Sequence, residues 1–368
     1  MEERAPRPGL EGVVVCDTRL SLIDGPAGRL VYCGHEVGDL AAANTFDEVC
    51  FLLWHDRLPD PAERDALRAE LRSARTLPSY VRDVIARLPR ETSPLAAVRT
   101  AISAVAAEAP DLSTLDGPDR IGIATSLVAQ VAEMVVAVAG RRRGEPIPPD
   151  LSESLTARLL FGLTGRPPVP EDVVVLDQVL LLHAEHGLNA STFAARVAAA
   201  TETDLHTALC AGLAALQGPL HGGANQRVME MLEDIGEPAA VRGWLDDLLG
   251  NQGRVMGYGH RAYKVIDPRA RILDDLCRAL SARKGDATWL AISHAIAAVM
   301  TDLRPNLHPN VDFYSAPTLH LLGIPKELFP CVFAAARTAG WTAHILEQLA
   351  DNRLISPRSH YVGRQPVS

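Results

Sequence analysis

The chain has 368 residues, enough for a large buried core and for more than one domain. Hydrophobic residues make up 47% and charged residues 22%, a globular balance that excludes a disordered chain. A formal net charge of −9 argues against a nucleic-acid partner, which calls for a basic face, but leaves room for a local pocket that holds an anionic small molecule.

The first residues, MEERAPRPGLEG, carry no apolar run of the kind a secretory signal needs. Six cysteines stand at positions 16, 33, 50, 210, 277 and 331 without a close pair. That spacing gives no metal knuckle, redox motif or disulfide framework, and a reducing cytoplasm suits it. Residues 13–34 alternate weakly around Asp24 and Gly25, the pattern of a small hairpin. Beyond it helical signals dominate. Thr45 and Glu48 form a capping box before FDEVCFLLW, and Pro61, Ser93–Pro94 and Ser152 open further helical runs.

Residues 121–140 are apolar over a bilayer-spanning length, with Gln130 and Glu133 in the middle. A charge there is costly in lipid, so the segment is expected as a helix buried in the protein or at a subunit interface, not in a membrane. The only candidate linker is RRRGEPIPPD at 141–150. The run VVVLDQVLLLH at 173–183 is apolar on nearly every face, as expected at the centre of a helical protein. Helical patterns recur at 204–216, 224–235, 268–284, 287–303 and 328–350, while extended runs are scarce after residue 35. The expected fold is all-α with a small N-terminal β-hairpin.

Four places break the helical pattern with polar clusters. In HAEHGLNAST, His183 and His186 are three apart and are expected to share a helix face. They are either two satisfied core histidines or an incomplete metal pair. In GPLHGGANQ, His221 sits in a Gly-rich break close to a helix start, where a neutral imidazole is favoured. In GYGHRAYKVIDPRAR, Asp267 and Pro268 read as N-cap and first helical residue, and Arg269 falls in the first turn, where a cation opposes the helix dipole and calls for an anion. The glycines at 257 and 259 lack the rest of a dinucleotide fingerprint. In PNVDFYS, Asp312 reads as a helix cap or as a functional carboxylate, and downstream Arg337 lies on an otherwise apolar helix, where a buried cation needs a counter-charge. Taken together, three histidines, an aspartate and two arginines at helix ends suit enolisation of a carbonyl compound beside a bound carboxylate, with no metal required.

The segments HAEHGLNASTFAARV, GPLHGGANQ, MGYGHRAYKVIDPRA, PNVDFYS and FAAARTAGWTAHILEQ, in that order, closely resemble the citrate synthase family. The opening GLEGVVVCDTRLSLIDG and the closing NRLISPRSHYVG are similar to its two ends. The resemblance implies an all-α homodimer, with a large domain over 1–222 and 323–368 and a small mobile domain over 223–322. It implies an acyltransferase of the tricarboxylic acid cycle that condenses acetyl-CoA with oxaloacetate, binding both as substrates, with no permanently bound cofactor, no metal and a cytoplasmic location. Asp312 would be the base at the acetyl methyl group. His221 would hydrogen-bond the thioester oxygen, and His260 would polarise the ketone and protonate it. His186, Asn189, Arg269, Arg337 and Arg358 would hold the oxo acid, and Lys264 the phosphates of CoA.

Two positions depart from the family pattern. Ser356 stands where the C-terminal motif usually has an arginine, with Arg358 and Arg353 nearby, and Cys33 stands in YCG where YRG is usual. Propionyl-CoA in place of acetyl-CoA, or another 2-oxo acid, fits the same chemistry, because one methyl group in a pocket is worth only about 1–3 kcal/mol. A ligand-binding paralogue without turnover is the alternative from another class.

Overall fold

A computed structural model describes residues 7–145 and 154–364. The expected hairpin forms and gains a strand. β1 (Ser21–Asp24) pairs antiparallel with β2 (Arg29–Tyr32), with Ser21 opposite Tyr32, and β2 pairs with β3 (His35–Glu36). Cys33 and Gly34, at φ 44° and 85°, make the tight return between β2 and β3. Among the described residues sixteen α-helices follow: α1 Val37–Ala43, α2 Phe46–His55, α3 Pro61–Ser73, α4 Ser79–Arg87, α5 Pro94–Val105, α6 Gly117–Arg143, α7 Leu155–Thr164, α8 Pro170–His183, α9 Ala190–Ala199, α10 Leu205–Leu216, α11 Ala224–Ile235, α12 Val241–Gly250, α13 Pro268–Lys284, α14 Thr288–Leu303, α15 Val311–Leu321 and α16 Phe329–Ala350.

Local chemistry sets many of these starts. The Thr45 N–H donates to the Glu48 carboxylate at 2.8 Å, closing the expected box at α2. Asp60 and Pro61 open α3 in the same way. Ser154 caps α7, whereas Ser152, the expected opener, lies outside the described residues. Of the expected linker, 141–143 belongs to α6, Gly144 ends that helix in the left-handed region, and 146–150 lie outside the described residues.

Helix α6 is long and apolar enough to cross a bilayer, yet 72% of its apolar window is buried within the protein. Glu133 explains why a charge is tolerated there, since its carboxylate accepts from Arg158 Nε at 2.8 Å in a buried pair. Around it, α16 packs against α2, α5, α6, α8, α9 and α10. Its run of small residues permits close approach. A Cβ at Gly340 would overlap the Ala184 carbonyl oxygen, and the Gly340 N–H instead donates to that oxygen at 3.1 Å.

Helix α8 departs from expectation. Only its last turns are fully buried, and Val174 is 58% exposed. Helices α11 to α15 pack mainly on one another, with α13 against α15 and α12 against α14. Helix α13 also touches α1 and α8, and at that contact Asp172 pairs with Arg283 at 2.6 Å and Lys284 at 2.7 Å.

Candidate active site

His186 does not share a helix face with His183. Helix α8 ends at His183, whose Nδ1 lies 2.7 Å from the Val179 carbonyl, and the chain leaves the helix before His186. His183 is a buried core histidine, pushed down to about 3 by burial. His186 sits in the loop between α8 and α9, 8% exposed, with Nε2 3.2 Å from the Tyr263 hydroxyl.

His260 meets it from the loop before α13, their ring centroids 5.0 Å apart. Nδ1 of His260 accepts from the backbone N–H groups of Ala262 at 3.0 Å and Tyr263 at 3.3 Å. Two donors on one nitrogen place the ring proton on Nε2, which is left to donate. Burial and then Arg269 push His260 down to about 4, so it is neutral at pH 7. The ligand atoms of His186, His260 and Asp267 lie within 4.8 Å of one another, but Asp267 is already committed. Its carboxylate caps α13 and takes Arg269 in a forked pair, Nε to Oδ1 at 3.0 Å and Nη2 to Oδ2 at 2.7 Å. The anion that the Arg269 position calls for is therefore supplied within the protein.

Arg337 has no such partner. It is 2% exposed, and its Nε donates to the His183 carbonyl at 2.7 Å. Its guanidinium lies 4.7 Å from the Phe333 ring centroid, and among the described residues it forms no ion pair. Burial pushes it down to about 10, with Glu185 opposing the fall. An unpaired buried guanidinium near a second arginine and the neutral His186 suits a bound anion.

His221 follows Leu220, which is 95% exposed, in the break before α11. Nε2 of His221 lies 2.7 Å from the Ser191 hydroxyl and accepts the Ser191 N–H at 3.3 Å. The proton therefore belongs on Nδ1, and burial followed by Arg337 pushes the ring down to about 4. The neutral imidazole expected from a helix start is present, but burial is its main cause.

Asp312 is not the cap of α15. Asn310 is, accepting the Asp312 N–H at 3.0 Å, so Asp312 stands one residue inside the helix. Its carboxylate accepts no hydrogen bond among the described residues, and burial pushes it up to about 6 while Arg269 and then Arg337 pull it down. A carboxylate poised near neutrality with no partner to satisfy is a competent base.

Three other expected residues sit differently. Asn189 caps α9, its Oδ1 accepting from Thr192 N at 3.0 Å and Ser191 Oγ at 2.7 Å. Lys264 is exposed at a pocket of about 110 Å³ that His260, Tyr263 and His308 also line. Arg358 lies in the exposed tail after α16. Sequence reasoning missed Ser191 and Tyr263. Each contacts a candidate site histidine far away in sequence, Ser191 with His221 and Tyr263 with His186, and only the Asn-x-Ser spacing at 189–191 hinted at either.

An all-α scaffold whose interior gathers neutral histidine donors, a raised aspartate and an unpaired arginine is built for acid–base condensation at a carbonyl. The family described as citrate synthase, C-terminal domain, matches residues 9–358. A citrate synthase of Haloferax volcanii is 43% identical over 98% of this chain and 96% of its own length. A 2-methylcitrate synthase of Corynebacterium glutamicum is 38% identical over 98% of this chain and 95% of its own. The solved ternary complex of a citrate synthase from the archaeon Thermoplasma acidophilum, with carboxymethyl coenzyme A and oxaloacetate, superposes with a TM-score of 0.92, covering 98% of this chain and 97% of that one at 30% identity. The chain belongs to the citrate synthase family.

Proposed function

We propose that this site condenses acetyl-CoA with oxaloacetate to citrate and free CoA. The observation that carries the reading is Arg337, buried without a carboxylate partner beside Arg269, His186 and His260. The oxo acid supplies the anion missing at Arg337, its second carboxylate lies beside Arg269, which keeps its fork to Asp267, and its ketone oxygen faces the proton on His260 Nε2.

Asp312 takes a proton from the acetyl methyl group. Such a carbon acid is weak, so the charge developing on the thioester oxygen must be met at once, and the Nδ1–H of His221 meets it. The enol carbon attacks the ketone carbon, His260 delivers its Nε2 proton to the ketone oxygen, and water then cleaves the thioester to release CoA. Lys264, exposed at the rim, suits the CoA phosphates.

The self-contained packing of α11 to α15 supports a small mobile domain at about 223–322, with the remainder forming the large one. An exposed tail with Leu354, Tyr361 and Val362 uncovered, at 60%, 66% and 86% exposure, supports a dimer in which Arg358 reaches the partner's site. Six free cysteines, three of them buried, support a reducing cytoplasm.

Propionyl-CoA is the second reading, favoured by the C. glutamicum 2-methylcitrate synthase. CoA release followed with a thiol reagent, for both thioesters against a panel of 2-oxo acids, separates them. Fastest turnover with acetyl-CoA and oxaloacetate supports the proposal. A preference for propionyl-CoA or another oxo acid overturns the substrate but keeps the chemistry.

A further inference from the structure

At the tip of the N-terminal hairpin Gly25 is buried, while Pro26 and Ala27 beside it are exposed. Gly25 there is packed against the loop that carries His260. A Cβ at Gly25 would overlap the Ala262 carbonyl oxygen and stand 2.6 Å from its carbon. Those atoms are backbone and have no rotamer through which to yield. The Lys264 N–H donates back to the Gly25 carbonyl at 3.3 Å, and a Cβ at Gly28 would stand 2.7 Å from Val265 Cγ2. Gly25 is not in the left-handed region, so the requirement for glycine is steric and not conformational.

The same stretch of backbone controls a catalytic group. The N–H groups of Ala262 and Tyr263 are the donors that fix His260 Nδ1 and leave its proton on Nε2. The hairpin belongs to the part proposed above as the large domain, and residues 260–264 belong to the part proposed as mobile.

We propose that Gly25 is a positioning residue: the hairpin tip is the seat on which the 260–264 loop lands when the small domain closes, and this landing sets the orientation of His260. The inference rests on the condensation reading and its mobile domain. It adds a specific contact on which productive closure depends. A side chain at position 25 would hold the loop off its seat, lowering the population of the closed form while leaving the open fold intact.

The test compares Gly25→Ala with Gly38→Ala, a glycine whose Cβ would meet nothing within 4 Å. Gly25→Ala should lose about tenfold or more in kcat/KM for oxaloacetate, with unliganded thermal stability close to wild type and Gly38→Ala unaffected in kinetics. Wild-type kinetics in Gly25→Ala would overturn the proposal. Amide hydrogen exchange on the unmutated protein gives an independent arm that does not require the variant to fold. Oxaloacetate should slow exchange at Lys264, whose N–H bonds to Gly25. Unchanged exchange there, in a wild type that releases CoA, would overturn the seat alone. A wild type that binds no oxaloacetate and releases no CoA would overturn the condensation reading and the seat with it.

Discussion

The Ser191 hydroxyl lies 2.7 Å from Nε2 of His221 and is itself held by Asn189 Oδ1 at 2.7 Å and by the Trp341 indole N–H at 3.2 Å. One hydroxyl thus connects the cap of α9 and the core of α16 to His221, the histidine proposed to meet the thioester.

Ser191→Ala removes that anchor and allows the imidazole to turn. Turnover should fall about tenfold, with little change in the KM for oxaloacetate, because the donor is misaligned only where charge develops. Steady-state kinetics in both substrates decides. A rise in oxaloacetate KM with turnover intact would place Ser191 in ground-state binding.

Arg337→Leu should raise the KM for oxaloacetate about 10- to 100-fold, the usual worth of a lost charge-assisted contact. The unliganded protein should unfold at the same or a higher temperature, because an unpaired buried cation opposes folding. A clear fall in unliganded stability would make Arg337 a structural residue.

The pH dependence divides between the titrating groups. Asp312, at about 6, must be ionised to act, so kcat/KM should fall as pH drops through about 6, while His221 and His260, at about 4, stay neutral throughout. Stability runs the other way for Asp312. Its folded value exceeds the ordinary ~3.9, so its ionisation costs stability as pH rises from about 4 to about 6, and Asp312→Asn should raise the unfolding temperature at neutral pH. His183, folded at about 3 against an ordinary ~6.5, contributes stability above about 6.5 that is lost as pH falls toward 3. Differential scanning calorimetry across pH 4–8 on the two proteins checks both signs.

Glu133→Ala should destabilise the fold by about 3–5 kcal/mol, since it strips the buried α6 carboxylate from Arg158 of α7. Denaturant unfolding measures this, and a loss below 1 kcal/mol would mean that the remaining contacts of Arg158 suffice.

Much of the architecture was legible because it is local. The patterns at 204–216, 224–235, 268–284, 287–303 and 328–350 fall within a residue or two of α10, α11, α13, α14 and α16. The caps at Thr45 and Asp267 are where their residue types put them. What was not legible depends on distance in sequence. Asp312 looked like a cap because its neighbour Asn310 is an equally good one, and the side-chain bonds that choose between them are not coded in composition. The third strand needs Cys33 at positive φ, a conformation its residue type does not announce. His183 and His186 fit helical spacing, but α8 stops between them where α16 presses Gly340 against Ala184. Ser191, Tyr263 and the hairpin seat at Gly25 all act across chain separations that no local pattern records.

The most direct test is to measure CoA release and oxaloacetate binding on the same preparations of wild type and Asp312→Asn. Turnover should drop about 10²- to 10⁴-fold, the range for a removed general base, while oxaloacetate binds as well or more tightly beside arginines relieved of a neighbouring carboxylate. Equal losses in binding and turnover, or turnover that survives the substitution, would contradict Asp312 as the base of the condensation.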